Sequence, residues 1–393
     1  MQLTLRISGV VWICLLSLNL VSCKKYLSSY SQNMSFIETA TDLNEILIGD
    51  AYISVQNDLL TNLFHIADDD IEMGIPTIAY VLNYEHGILY WQAEPRMNSV
   101  GDVIRSDNYY NTVYAKIARI NTIIFEADRL RTKGEPVAVL NRICGEAHFL
   151  RALYYFTLAN LYGKPYRPST AHVDAGIPLK TEPGITSQFV TRSSVKDVYE
   201  QIVRDLETSD GYLSEKLAFS ELRASKAAVA GLLSRVHLYM ENYEKSIIYA
   251  DRVIALNQFM LTDLNETPAN SIFLNRSSRE VIFTMGGNEM GGRMLIHQDP
   301  PTGYHILVSG DLYNSYDPRD LRLQAFFKIN SKGNIRAIKR GSERNSVLSD
   351  VSDKYSLRLS EMYLNKAEAL VASGRDQEAG AAIQFLLRSR CKP

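Results

Sequence analysis

The chain has 393 residues and a formal net charge of −2 at pH 7. That length exceeds one small core and suits one extended domain or two compact ones. A charge so near zero removes any bulk electrostatic case for nucleic acid as a partner. Tyrosine is abundant at 23 residues and Trp scarce at 2. A tyrosine ring joins a flat apolar face to a hydroxyl, which suits either recognition of polar, ring-shaped ligands or amphipathic helix packing.

The N-terminus reads as an export signal. Arg6 gives a basic start, and the apolar run from Ile7 to Leu20 is short for a membrane span. It ends in Leu20-Val21-Ser22-Cys23, a pattern that resembles a bacterial lipobox. Residues 1–22 are then a lipoprotein signal peptide, and Cys23 becomes the diacylated N-terminus, anchored by more than one chain. The alternative is an ordinary secretory signal that contains a cysteine. Residues 23–35 are polar and read as a tether between lipid and domain. Beyond them cysteine is thin: Cys144 and Cys391 read as buried or inert thiols, with no CxxC or Cys/His metal spacing.

Helical periodicity begins near Phe36 and runs through Leu43, Leu47 and Val55. Asp68-Asp69-Asp70 follows. Clustered carboxylates can hold a hard cation, but the alternating ligands and turn glycine of a calcium loop are missing, so a solvated acidic loop is expected and no metal is assigned. Residues 77–100 are irregular and aromatic, with Tyr80, Tyr84, Tyr90 and Trp91, and Pro95 breaks any helix there. Exposed, these rings would stack on a ligand; buried, they would anchor the loop.

Tyr109 to Arg131 is a strong helix, and Gly134 with Pro136 makes the turn that follows. The stretch from Cys144 to Tyr162 then carries apolar residues on nearly every face, at Ala147, Leu150, Tyr154, Leu158 and Leu161, and at Phe149, Leu153 and Phe156. A helix so apolar needs neighbours on both sides. Glu146, placed in its first turn, suits the helix dipole, and Gly163 with Pro165 supplies the stop. Pro and Gly fill residues 166–192, after which Ser193 or Ser194 caps a helix running through Val198, Ile202 and Leu206.

Ser225 to Gln258 matches the tetratricopeptide layout: two helices, a tight turn, and small residues such as Ser234 and Ser246 where helices cross. Leu357 to Leu387 repeats it, with Ser373-Gly374-Arg375 as the turn. One layout seen twice, with helix pairs before it, predicts stacked repeats. Between them, residues 259–353 differ. Glu280 to Met285 reads as a short strand. Gly286, Gly287, Gly291 and Gly292 lack the following Gly-Lys-Ser/Thr of a phosphate cradle. Tyr304 and His305 continue an excursion too long for a simple connector.

The order of short motifs resembles the SusD/RagB family of nutrient-binding surface lipoproteins of Bacteroidetes. It covers Cys23-Lys24-Lys25-Tyr26-Leu27, Ile117 to Asn121, Gly145 to Ala152, Gly176 to Leu179 and Arg192 to Val195. It continues through Ser278 to Phe283, Asp311 to Arg322 and Leu357 to Leu364. The resemblance implies a mainly α fold of stacked tetratricopeptide-like hairpins, chiefly 109–258 and 355–390. A loop-rich region with a few short strands, chiefly 60–105 and 259–353, would form the ligand face of a single domain spanning 36–393. It implies an outer-membrane, cell-surface lipoprotein that captures oligosaccharides or peptides and delivers them to a SusC-like TonB-dependent transporter, with no catalysis and no cofactor. Members usually continue beyond the last hairpin, whereas this chain stops at Cys391-Lys392-Pro393, which predicts a short member or a truncated frame.

By residue type and region, Tyr90, Trp91 and Tyr304 are expected to stack on sugar faces, with Arg96 and Asn98 holding hydroxyls. An interaction scaffold of tetratricopeptide type without small-ligand binding is the alternative. A surface glycosidase is the remaining reading; it would need two carboxylates across a cleft, which sequence cannot place.

Overall fold

The computed structural model describes residues 37–53, 67–73, 86–103, 108–184, 190–215, 218–268, 273–274, 278–285, 306–330, 333–337 and 355–392. The chain divides into Met1–Glu38 and Thr39–Pro393, and the architecture below is that of the second unit. The signal peptide, Cys23 and the tether lie outside the described residues, as do Tyr304 and the four glycines at 286–292. Among the described residues no helix is long and apolar enough to cross a membrane.

Helix α1 (Ala40–Ile46) opens on a capping box in which Thr39 and Asp42 satisfy each other's backbone N–H, and it runs into a π turn (Leu47–Ala51). Strand β1 (Ile71–Met73) and the short helix α2 (His86–Leu89) precede the stack. The stack begins with α3 (Asn108–Thr132) and α4 (Val137–Tyr162). The contacts Arg131–Asn141, Asn121–Arg151 and Tyr110–Tyr162 fall at matched distances from the turn, so the two helices are antiparallel. Helix α4 starts at Val137, two turns before Cys144. Pro136, just ahead of it, carries no N–H that the helix start would leave unpaired. Val137 and Val139 are exposed, so that first turn carries no burial pattern to read.

From Leu140 to Ala159 nearly every side chain of α4 is buried. Its neighbours are α3, the π turn and α5 (Val195–Tyr212), which Ser194 caps by accepting from the Asp197 N–H. At Gly145 the end of α5 packs closely: a Cβ there would meet Leu213 Cγ, just beyond the helix, at 2.7 Å. The start at Val137 also corrects the role of Glu146. It lies in mid-helix, fully buried, far from the dipole's positive end. Its carboxylate accepts from Tyr52 Oη at 2.6 Å, Arg142 Nε at 2.9 Å and Arg223 Nε, which ties the N-terminal segment to the turn that leads into the helix starting at Lys226. Burial, with the Glu146 charge beside it, pushes the Tyr52 hydroxyl well above the ordinary tyrosine range.

A second buried network crosses one turn further on. Asp205 of α5 accepts from Arg151 Nη2 at 2.6 Å and Nε at 2.9 Å, with His148 Nδ1 at 2.8 Å. Arg151 also donates to Asn121 Oδ1 of α3 at 2.8 Å, and Asn121 donates to Lys180 O. Burial would raise the Asp205 carboxyl, but the His148 and Arg151 hydrogen bonds outweigh it and hold the group below its usual value. The connection after α4 is thereby bound to the stack; Tyr155 Oη donates to Lys180 O and accepts from its N–H.

Helices α6 (Lys226–Tyr239) and α7 (Tyr243–Ile254) form the first repeat as expected. Ser234 Oγ donates to Ser246 O at 3.0 Å and Ser246 Oγ returns the bond to Ser234 O at 2.9 Å, so the small residues close the crossing with paired hydrogen bonds. The second repeat, α10 (Leu359–Ala372) and α11 (Asp376–Arg388), packs α10 on α7. Its turn places Gly374 at φ 72, with Arg375 N donating to Leu370 O.

The excursion leaves the stack at β2 (Val281–Thr284) and returns at β6 (Ser356–Arg358), which pair antiparallel with Val281 opposite Arg358. Leu357 of β6 and Met362 lie against Gly231 of α6. Further out, β3 (Ile306–Val308) pairs with β1, and α8 (Gly310–Ser315) and α9 (Arg322–Phe326) lead into the ribbon of β4 (Phe327–Ile329) and β5 (Ile335–Ala337). The mainly α architecture with a few short strands is the one expected. Cys144 is a buried free thiol and Cys391 a partly exposed one.

Candidate functional site

The loop from His86 to Val103 is closed on itself by its backbone. Gly87 N donates to Met97 O at 2.8 Å, and Gln92 N donates to Gly87 O at 2.7 Å. A Cβ at Gly87 would meet Glu94 O at 2.2 Å, so only glycine lets the two sides of the loop touch. Met97 and Val103 form an isolated bridge.

Asn98 is the staple of the returning half. Its Oδ1 accepts from Val100 N and Asp102 N, and its Nδ2 donates to Asp102 Oδ2 at 3.0 Å. It is 1% exposed. The expected part for Asn98, holding ligand hydroxyls, is therefore corrected. Both ends of its amide are engaged inside the loop, as an Asx turn engages them.

Tyr90 and Trp91 stand on the outer side. Tyr90 is half exposed and packs on the His86 ring at 4.6 Å. Trp91 is 78% exposed, and its backbone sits at φ 51 in the left-handed region. A bulky residue there carries strain of about 1–3 kcal/mol, and this ring recovers little of it by burial. Arg96 is partly exposed on the same loop. Asp68, Asp69 and Asp70 are all exposed, with carboxylate oxygens within 4.8 Å of one another.

A second concavity was not legible beforehand. A cavity of about 530 Å³ lies between the excursion and the last hairpin. Aromatic rings from Phe273, Tyr316, Phe326 and Phe327 line it, and Tyr316 meets Phe327 edge-on at 5.5 Å. Its charged lining is Asp70, Arg322, Arg358 and Arg390. These residues are scattered over most of the chain, so no local motif announces them.

Comparison with known proteins bears on the whole chain. The family model SusD-like_3, described as starch-binding associating with outer membrane, matches residues 25–238. SusD-like protein P38 of Formosa agariphila is 27% identical over 169 residues, which cover 42% of this chain and 31% of that protein. SusD-like protein P2 of the same organism is 27% identical over 147 residues, covering 37% and 26%. The match thus spans about a third or less of these curated relatives. Among solved structures, a SusD superfamily protein from Bacteroides thetaiotaomicron superposes with TM-score 0.73 at 22% identity, covering 90% of this chain and 81% of that one. A putative sugar binding protein from Bacteroides vulgatus gives 0.72 at 20%, covering 91% and 79%. A laminarin binding SusD-like protein gives 0.64 at 20%, covering 91% and 86%. At such identities the superpositions speak for the fold.

Proposed function

The chain belongs to the SusD-like family, and from that premise we propose that it is a surface-anchored binding protein that captures oligosaccharides through the loop 86–103. The observation that carries this reading is Trp91, a large ring held outward on a strained backbone by a loop closed with backbone hydrogen bonds and the Asn98 staple. Nothing in packing rewards that arrangement, whereas a flat apolar face presented to solvent suits the face of a sugar ring. Tyr90 extends the platform, and Arg96 supplies a donor on the same loop. Tyr304 joins the proposed face by residue type and region. The family description and the laminarin-binding neighbour support a glycan as ligand.

In this reading Cys23 carries the lipid and the protein sits at the outer membrane. It hands its ligand to a SusC-like TonB-dependent transporter and carries out no bond-breaking step. Calorimetry with laminarin and starch oligosaccharides tests the ligand arm: Trp91→Ala lowers affinity about tenfold, the equivalent of roughly 1.4 kcal/mol. Unchanged affinity in that variant removes the loop from the site. Loss of metabolic acyl labelling in Cys23→Ala tests the anchor, and co-purification of a TonB-dependent transporter from membranes tests the handover.

A further inference from the structure

The cavity between the excursion and the last hairpin has an imbalance of partners. Arg322 is matched by its own Asp320, whose Oδ1 lies 2.9 Å from its Nε. Arg390 is held by Glu280 Oε1, Thr262 O and Ser389 Oγ. Behind the wall, Arg235 grips both oxygens of Glu361 at 2.6 and 2.7 Å. Arg358 is different. Its side chain makes no hydrogen bond among the described residues, although Glu280 and Glu361 lie within electrostatic reach. Three guanidiniums, those of Arg235, Arg358 and Arg390, thus share two carboxylates. Burial, only partly offset by Glu280 and Glu361 and reinforced by the like charges of Arg390 and Arg235, lowers the Arg358 basicity below the ordinary arginine range. Arg358 is partly exposed, and a guanidinium in a confined site without a matched carboxylate is available to an anionic group that enters. Asp70 is the single carboxylate among the cavity's described lining, and it is exposed, beside Tyr316.

The remaining walls describe what could accompany a negative charge. Tyr316 and Phe327 meet edge-on, and Phe273 packs against Phe326 at 4.7 Å, so aromatic rings line the same cavity as Arg358. Arg322 lies 4.9 Å from the Tyr316 ring centroid and Arg390 5.1 Å from that of Phe273. A volume of about 530 Å³ is in the range that encloses small ligands. A guanidinium presents a planar fork that fits a carboxylate or a sulfate through two parallel hydrogen bonds.

We propose that this cavity is a second binding site, one that takes an oxyanion carried on a sugar ring, with Arg358 meeting the charge and Tyr316 and Phe327 the ring. The assignment rests on the reading of the protein as a sugar-capturing one, but it needs neither Trp91 nor the loop 86–103. It extends the ligand class from neutral to acidic glycans.

The test is calorimetry on the full chain at low ionic strength with four probes: trigalacturonate, a sulfated galactose oligosaccharide, neutral galactotriose, and a short Asp-Phe peptide. At least one acidic sugar is expected to bind at least tenfold more tightly than galactotriose. That preference is expected to fall as salt rises and to disappear in Arg358→Gln. The variant is expected to fold, because it removes a charge that lacks a matched partner. Arg358→Lys, which keeps charge without the fork, is expected to retain only part of the preference. Which acid binds identifies carboxylate or sulfate. Equal binding of acidic and neutral probes, or an acidic preference unaltered in Arg358→Gln, overturns the proposal; so does no acidic binding, or tighter binding of the peptide. Trp91-dependent binding of laminarin alongside no acidic preference sinks the cavity alone, and the reverse pattern sinks the loop alone.

Discussion

In the helical stack, several large rings are buried with their polar tips bonded. Tyr154 is fully buried and donates to Ala51 O at 2.6 Å; Tyr155 is buried and paired with Lys180; Tyr52 donates to Glu146. In the loop 86–103 the order is reversed: backbone and small polar groups are satisfied, while the rings of Tyr90 and Trp91 face water. The same residue class therefore does two jobs. In the stack it is structure, and its removal is felt as stability. In the loop it contributes little to stability, and its removal is felt as binding.

The largest test of that contrast is the Asp205 network. Arg151→Met leaves the buried Asp205 without its main partner and is expected to cost about 3–5 kcal/mol in denaturant unfolding. Asp205 also gives a pH signature. Its folded pKa lies below its unfolded value of about 3.9. Its contribution is therefore complete above that value and is lost as pH falls through the lower, folded one. Asp205→Asn should flatten this acid limb.

His237 gives the next effect. Its ring is buried and stacks on Tyr249 at 5.6 Å, with neither ring nitrogen hydrogen-bonded among the described residues. Burial, then the Lys245 charge, pushes it down to about 4. The unfolded chain takes up a proton near pH 6.5 while the folded one resists until about 4. Stability should therefore fall by up to roughly 3 kcal/mol across that window, and His237→Phe should remove the slope in a Tm series.

Gly145→Ala comes third, because its methyl must displace Leu213; a loss of about 1–3 kcal/mol is expected in chemical unfolding. The smallest effect has the opposite sign. Trp91→Gly relieves the left-handed backbone and is expected to raise stability by about 0.5–1 kcal/mol while abolishing the platform. If it destabilises as a stack residue would, the division between the two regions fails.

Most of the stack could be read from spacing alone, because Phe149, Leu150, Leu153 and Tyr154 leave a helix no polar side to expose. The crossing serines were legible for the same reason: only small residues fit there. Glu146 was misplaced because burial of a carboxylate depends on Tyr52 and Arg223, which are remote in sequence. Asn98 looked like a ligand donor because its partner, Asp102, becomes visible only once the turn is closed. The cavity was hidden entirely, since Phe273, Tyr316, Arg358 and Arg390 share no local pattern. Local periodicity reports what is repeated, and sites are assembled from what is not.

The residues after α11 have a consequence for how the molecule is made. Leu264 N bonds to Ser389 O, Leu321 N to Arg390 O and Lys392 N to Arg319 O, and Arg390 reaches Glu280. These four stitches tie Leu264, Glu280, Arg319 and Leu321 of the excursion to residues 389–392. In a nascent chain these four bonds cannot form until the ribosome has passed Arg390, although β1 is already available to β3. That interval is when a chaperone would matter most, and a protease that trims a few residues after Arg388 would reopen it in the finished protein.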